Sequence, residues 1–331
     1  MSSSDLENEF SWSVSRHNIF KECKRKYYFN HYGFWNGWKD DASDRKRLLY
    51  RLKKLENRYT WKGNTVHEAI AFLLKARLQN KNLDWERFES TVIDRMRDQY
   101  KTSLGGDYKA DPKGKFGLLE HEYGEDIEKE TWVSLKNDII RNIRNFRDSV
   151  FWEKANKLSL KDCLALEGDL NSPKNIWKNI STQLPTYRKI PSILSADHFY
   201  IDGLKVWTKL DFSYSQPDGT IRLVDWKTSN SGSEPDSLQL NIYGYYAAET
   251  WGISPEQVKL TVFNIPQQER YDRKFSENQK KETRESIIES AEEMKSLLIN
   301  PKKNEAQKGD FPKIDNDKFC RYCRYRRVCR H

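Results

Sequence analysis

In the stretch LVDWKTS, Leu223 to Ser229, a carboxylate and an ammonium two residues apart interrupt an apolar run. Side chains alternate across a strand. Asp225 and Lys227 therefore share a face with Ile221 and Leu223, while Arg222, Val224 and Trp226 take the other. Upstream, VWTKLDFSY groups Lys209 with Asp211 and sets Thr208, Leu210 and Phe212 opposite. Between the two runs lies QPDGT, where Pro217-Asp218-Gly219 suits a three-residue hairpin loop, a type I turn followed by a left-handed glycine. That loop pairs Gln216 with Thr220, and counting back places Asp211 opposite Asp225. Directly opposed Cβ atoms stand roughly 4.5–5.5 Å apart. Carboxylates that close repel unless a cation lies between them or one takes a proton. A hard divalent cation, Mg²⁺ or Mn²⁺, is the natural solution. Lys227 beside it can hold a phosphate or lower the pKa of a bound water. An Asp/Lys pair on an open sheet face is the alternative.

Two helices can complete such a centre. NTVHEAIAFLLKARL, after Gly63, is amphipathic with Val66, Ile70, Leu73 and Leu74 inward. His67 shares the stripe of Ala71 and Leu74, so it faces inward as a core residue or as a ligand. In DSLQLNIYGYY, Gln239 and Tyr243 are four apart on one helical face, as a polar edge or as partners for a phosphate or the lysine.

The chain has 331 residues, 37% hydrophobic, 13% aromatic and 32% charged, with net charge +9. That length allows one large domain or two smaller ones, and the aromatics can fill a core. The basic excess suits nucleic acid or another polyanion, or an ordinary basic protein. No apolar run is long enough for a membrane span, and MSSSDLENEF carries no signal-peptide pattern, so the cytoplasm is expected. The five cysteines are then expected to be reduced. No G-x-x-x-x-G-K-[ST] motif marks an ATP motor.

Periodicity predicts helices over the first 35 residues, at 39–58 as a solvated segment, after Gly63, and at 84–101, 126–157, 237–251 and 276–299. SLGGDYKADPKGKFG reads as a mobile loop, and 171–192 as an irregular connector. Strands are expected between 195 and 228 and at 258–265.

Cys320, Cys323 and Cys329 have spacing C-x2-C-x5-C, which suggests a metal site. A fourth soft ligand, Cys23 or Cys163, would complete a tetrahedral sulfur set for zinc or an iron–sulfur cluster. Basic and aromatic residues flank these cysteines: Lys24, Arg25, Lys26, Tyr27 and Tyr28 early, then Arg321, Tyr322 and Arg324 to Arg327 late. Folded together they would form one patch, either a groove for single strands or a solvated positive rim.

In order along the chain, G-x-x-x-H-E, L-D, V-D-W-K-T and Q-L-x-x-Y resemble the PD-(D/E)xK nuclease superfamily, in particular its RecB/AddB-like branch. The segment around Cys23 resembles the iron–sulfur members of that branch, which include AddB, CRISPR-adaptation exonucleases and mitochondrial single-strand exonucleases. The resemblance implies an α/β restriction-endonuclease-like core with a mixed central sheet flanked by helices, a helical N-terminal part and a cluster-bound C-terminal segment. It implies a single nuclease domain over 1–331: an N-terminal segment 1–58, a helical region 59–192, a catalytic part 193–300 and a cluster segment 301–331. It also implies metal ligands His67, Asp211, Asp225 and the Trp226 carbonyl, a catalytic Lys227 supported by Gln239 and Tyr243, and a [4Fe–4S] cluster on Cys23, Cys320, Cys323 and Cys329. Cys163 is left as a buried thiol. The pattern departs from the family in lacking a Pro before Asp211, in carrying Thr208 where a Gly is frequent, and in an insertion at 168–192. The implied activity is metal-dependent DNA hydrolysis, with an exonuclease on single-stranded ends favoured, in repair, recombination or defence beside a helicase or other partner. The alternatives are an inactive iron–sulfur subunit that binds DNA ends, and a zinc-stabilised interaction module.

Overall fold

The structure, a computed structural model, describes residues 7–167, 198–229 and 237–329. The expected connector at 171–192 and the insertion at 168–192 lie outside the described residues. The strands in chain order are β1 (Cys163–Leu166), β2 (His198–Ile201), β3 (Leu204–Trp207), β4 (Phe212–Ser215), β5 (Ile221–Lys227), β6 (Val258–Asn264), β7 (Glu269–Lys274), β8 (Leu298–Asn300) and β9 (Glu305–Ala306). The chain divides into two compact units. One comprises Met1–Leu55, His198–Trp207 and Lys281–His331; the other comprises Glu56–Asp197 and Thr208–Lys280.

The second unit carries the expected mixed sheet, in order β1-β4-β5-β6-β7. Its β4–β5 hairpin follows the turn chemistry. Gly219 is left-handed at φ 77°. Gln216 N–H donates to the Thr220 carbonyl at 2.8 Å, and the Asp218 carboxylate accepts from Thr220 N–H at 3.0 Å. The resulting register pairs Phe212 with Val224 and Ser215 with Ile221. One step further along, Asp211 falls level with Asp225. β5 and β6 run parallel. A parallel pair needs a crossover, and the helix Ser237–Trp251 lies between them in sequence.

On one face of the sheet Phe212, Val224, Trp226 and Phe263 pack into a core with the helices Arg58–Leu78, Trp85–Gly105 and Lys129–Arg147. Trp226 meets Phe146 and Phe151 edge-on. Leu223 and Leu260, paired in register, are buried on the other face. β5 is thus covered on both sides, which is why its polar members stand out in an apolar run.

The helices differ from expectation in several places. The helix carrying His67 begins at Arg58, because Asn57 caps it and forms a reciprocal capping box with Thr60. The segment 126–157 divides at Ser149, whose hydroxyl caps a second helix, Val150–Ala155. In the expected mobile loop the helix continues to Gly105 and is closed by left-handed Gly106; Tyr108, Leu118 and Leu119 beyond it are buried. β1 and the charged β7 have no counterpart among the expected strands.

In the first unit, Ser13 caps the helix Val14–Glu22. The N-terminal helical run breaks at Cys23, which is extended at φ −163°, before the helix Lys24–Tyr28 and a π-helical turn, Phe29–Gly33. The helix Asp44–Lys54 is not fully solvated as expected: Leu49, Tyr50 and Leu52 are buried. The two ends of the chain meet in this unit. Arg25 N–H donates to the Pro312 carbonyl at 3.0 Å, and the Tyr325 hydroxyl bonds Asn30 at 2.9 Å. Trp12, Tyr27, Phe311 and Tyr325 are among the largest side chains that are completely buried.

The helix Ser237–Trp251 approaches Phe275 closely at Gly244, where an added Cβ would stand 2.8 Å from the ring. Gly244→Ala is expected to cost about 1–3 kcal/mol by overpacking. A lowered urea midpoint with an unchanged slope would show this; an unchanged midpoint would mean that Phe275 swings aside.

Candidate metal and catalytic centre

Four elements of the second unit converge. β1 ends on Leu166, and the next residue, Glu167, donates its N–H to the Asp211 carbonyl at 2.9 Å. Asp211 immediately precedes β4, Asp225 and Lys227 end β5, and His67 projects from the helix Arg58–Leu78. His67 Nδ1 lies 3.0 Å from Glu167 Oε2 and 3.3 Å from Asp211 Oδ1. The ligand atoms of His67, Glu167 and Asp211 all lie within 4.8 Å of one another. Asp211 Oδ2 accepts the Trp226 backbone N–H at 2.8 Å. This bond locks the carboxylate against β5.

Asp225 stands beside this group and is held differently. Its Oδ2 is 2.8 Å from Lys227 Nζ, and its Oδ1 accepts from the Tyr243 hydroxyl at 3.4 Å. Gln239 joins the two ends of the network: its Oε1 accepts from Lys227 Nζ at 3.1 Å, and its Nε2 donates to Tyr243 at 2.8 Å. The pair on the helix Ser237–Trp251 therefore orients the lysine and the second acid. Of the expected ligands, the structure brings His67 and Asp211 together, with Asp225 adjacent. The backbone N–H of Trp226 serves Asp211, and its indole is buried in the core.

Glu167 escaped the sequence reading, although the apolar run CLAL before it was a signal for a strand ending on an acid. Lys209, assigned to the Asp211 face without a role, reaches Glu167 Oε1 at 2.5 Å.

Electrostatics follow from the crowding. Burial pushes the Asp211 carboxyl up to about 7, with Glu167 and Asp225 adding and His67 opposing. Burial disfavours charge on His67, but Asp211 and Glu167 outweigh it and lift the imidazole well above its ordinary value. Burial also opposes the Glu167 carboxylate, yet His67 and Lys209 hold it well below the usual range. Burial, with Asp225 and Asp211, raises Tyr243 well above the ordinary phenol, so it remains a neutral donor. Two carboxylates and an imidazole sharing protons at this spacing fit a divalent cation, which would replace those protons.

In the first unit, Cys23, Cys320, Cys323 and Cys329 line one pocket of about 150 Å³, together with Lys26, Phe29, Phe319 and Tyr325. Backbone N–H groups of Lys26 and Tyr325 point at the sulfurs of Cys23 and Cys323, each at 3.4 Å. Burial raises the thiols of Cys323 and Cys329, and Cys23 adds to both. Among the described residues no three thiols come within 4.8 Å of one another. Cys163 is buried in the second unit, its thiol pushed up to about 12 by burial. The expected basic and aromatic patch is reduced, because Tyr27 and Tyr325 belong to the core. Phe319 and Tyr322 remain exposed.

A mixed sheet that ends in clustered acids and a tethered lysine defines a metal-dependent phosphodiester-cleaving class. Residues 11–330 match the PD-(D/E)XK nuclease superfamily, and the chain belongs to that family. A nucleic acid is the substrate the family implies. Solved structures that match include "Crystal structure of SSO0001", at 16% identity and a TM-score of 0.25, covering 64% of this chain and 91% of that one. No curated protein matches. No helix among the described residues is long and apolar enough to cross a membrane.

A cation bound between His67 and Asp211 would compete with protons there. Mn²⁺ affinity is therefore expected to rise between about pH 6 and 8, around the raised Asp211 value, with proton release in calorimetry. Glu167→Gln is expected to weaken binding about tenfold or more at pH 8. A pH-independent affinity would contradict this shared-proton picture.

Proposed function

We propose that this chain is a metal-dependent deoxyribonuclease that works as one nuclease, and that it degrades DNA from single-stranded ends. The observation that carries the reading is the convergence of His67, Glu167 and Asp211 beside the Asp225–Lys227 pair. His67, Glu167, Asp211 and Asp225, with the Trp226 carbonyl, would hold Mg²⁺ or Mn²⁺. Such an ion supplies Lewis-acid polarisation of a phosphate and a water of lowered pKa. The protein supplies position and charge. Asp225 and Gln239 fix the Lys227 ammonium, which offsets charge developing on the phosphorus oxygens or orients the nucleophile. Tyr243 and Gln239 support that lysine rather than meet the substrate. An acid set of this kind, kept beside a lysine, also speaks against an inactive DNA-end-binding subunit. A place in repair, recombination or defence is part of the same proposal.

Cys23, Cys320, Cys323 and Cys329 are proposed to hold a [4Fe–4S] cluster. Support comes from their shared pocket and from the N–H groups aimed at two sulfurs. The cluster's role is structural: it closes a loop from residue 23 to residue 320, limiting the freedom of the unfolded chain.

End-blocked, linear and circular substrates, single- and double-stranded, test the activity. Linear single strands should be degraded with Mg²⁺ or Mn²⁺, and Asp211→Ala or Lys227→Ala should lower the rate by about a hundredfold or more. Equal activity in wild type and Asp211→Ala would remove the centre, and cleavage of circles would remove the exonuclease assignment.

Protein purified without oxygen should carry about four irons and four labile sulfides per chain. Cys23→Ala should lose them and unfold more readily. Stoichiometric zinc, or equal stability without the cluster, would overturn this part.

A further inference from the structure

The β2–β3 hairpin of the first unit buries one face and leaves aromatic side chains partly exposed on the other among the described residues. Asp202 and Gly203, both left-handed at φ 47° and 78°, form the tight turn. The register pairs His198 with Trp207 and Tyr200 with Lys205. These four side chains consequently share one face, while Phe199, Ile201, Leu204 and Val206 are buried on the other. Tyr200 is 57% and Trp207 40% exposed. The outward positions of such a strand ordinarily carry polar residues; here three of the four are aromatic rings.

Trp207 is tied to the N-terminal segment, and the His198 ring stands between it and Tyr200. The His198 ring lies 5.6 Å from Tyr200 and 5.2 Å from Trp207. Trp207 Nε1–H donates to Ser11 Oγ at 3.1 Å, and its backbone N–H donates to the Trp12 carbonyl at 2.7 Å. Lys205 Nζ stands 4.5 Å from the centre of the Trp207 ring, which adds a cation to the same surface. The acid at the turn, Asp202, is paired with Arg284.

We propose that this face binds unpaired nucleic acid, with bases stacking on Tyr200 and Trp207 and Lys205 contacting a phosphate. Single-strand surfaces combine π-faces with positive charge in this way, without sequence preference. The net charge of +9 favours a polyanion over an acidic or apolar protein partner. Unpaired bases fit better than duplex, because duplex bases already stack on one another. The surface uses none of the residues proposed for catalysis, so its failure can be told from failure of that reading.

Binding of a labelled oligo(dT) of about 20 nucleotides, in chelator to prevent cleavage, is the test. Tyr200→Ala and Trp207→Ala are each expected to weaken binding about tenfold, while Trp207→Phe stays within a few-fold. Lys205→Ala should lower the slope of log affinity against log salt by about one. Blunt duplex binding should change little in the aromatic variants. Affinity for oligo(dT) within twofold of wild type in the Tyr200→Ala/Trp207→Ala double variant would overturn the proposal, as would a protein ligand lost in its place. Should Trp207→Ala fail to fold, exposed Tyr200→Ala decides alone. Absence of cleavage with metal, alongside retained and ring-dependent binding, would sink the nuclease activity and leave this surface standing.

Discussion

Charge repulsion at the ends of three neighbouring strands is the constraint around which the second unit is organised. The turn at Asp218-Gly219 sets a register that puts Asp211 level with Asp225, and β1 delivers Glu167 beside Asp211. Two carboxylates roughly 5 Å apart repel by about 3 kcal/mol at an effective dielectric of about 20. Proteins do not keep such an arrangement buried without compensation. Here each acid has its own. Lys227 answers Asp225, Lys209 answers Glu167, and the His67 ring is shared between Glu167 and Asp211. The shared proton is the weakest part of that arrangement and the part a cation would displace.

The first unit solves a different problem with the same economy of chain. A helix that would have run through residue 23 is broken there, and the break turns a thiol toward three others from the far end of the sequence. The aromatic residues around it are mostly structural. Phe29 packs 5.5 Å from Tyr325, and Tyr27 lies between Phe20 and Phe311. Tyr27 and Tyr325 therefore serve packing, while Phe319 and Tyr322 stay exposed beside the cysteines and Trp38, Tyr200 and Trp207 are exposed elsewhere in this unit.

The parts legible in sequence were those governed by short-range chemistry. Period-two alternation and the Pro-Asp-Gly loop were enough to place Asp211 level with Asp225, and helical spacing was enough to aim His67 inward and to put Gln239 beside Tyr243. What escaped depends on long-range placement. Glu167 sits 44 positions before Asp211 in the sequence, just after a four-residue strand whose short apolar run marks a strand but not its pairing with β4. β7 was missed because its residues are nearly all charged, so it has no apolar face to reveal it. The helix break at Cys23 was hidden by residues on both sides that favour helix. Tyr27 and Tyr325 looked like surface because their neighbours are basic, yet packing, not neighbours, decides burial.

That charged strand has a consequence of its own. β7 closes one side of the sheet with Glu269, Arg270, Asp272, Arg273 and Lys274, almost all in solvent, leaving its outer hydrogen-bonding groups flanked by ions of both signs. A foreign strand docking there would have to strip water from those ions and would find no hydrophobic stripe in return. The sheet is thereby protected against amyloid-like growth along that border, where the neighbouring strand β6, VKLTVFN, is just the kind of apolar segment that aggregates when exposed.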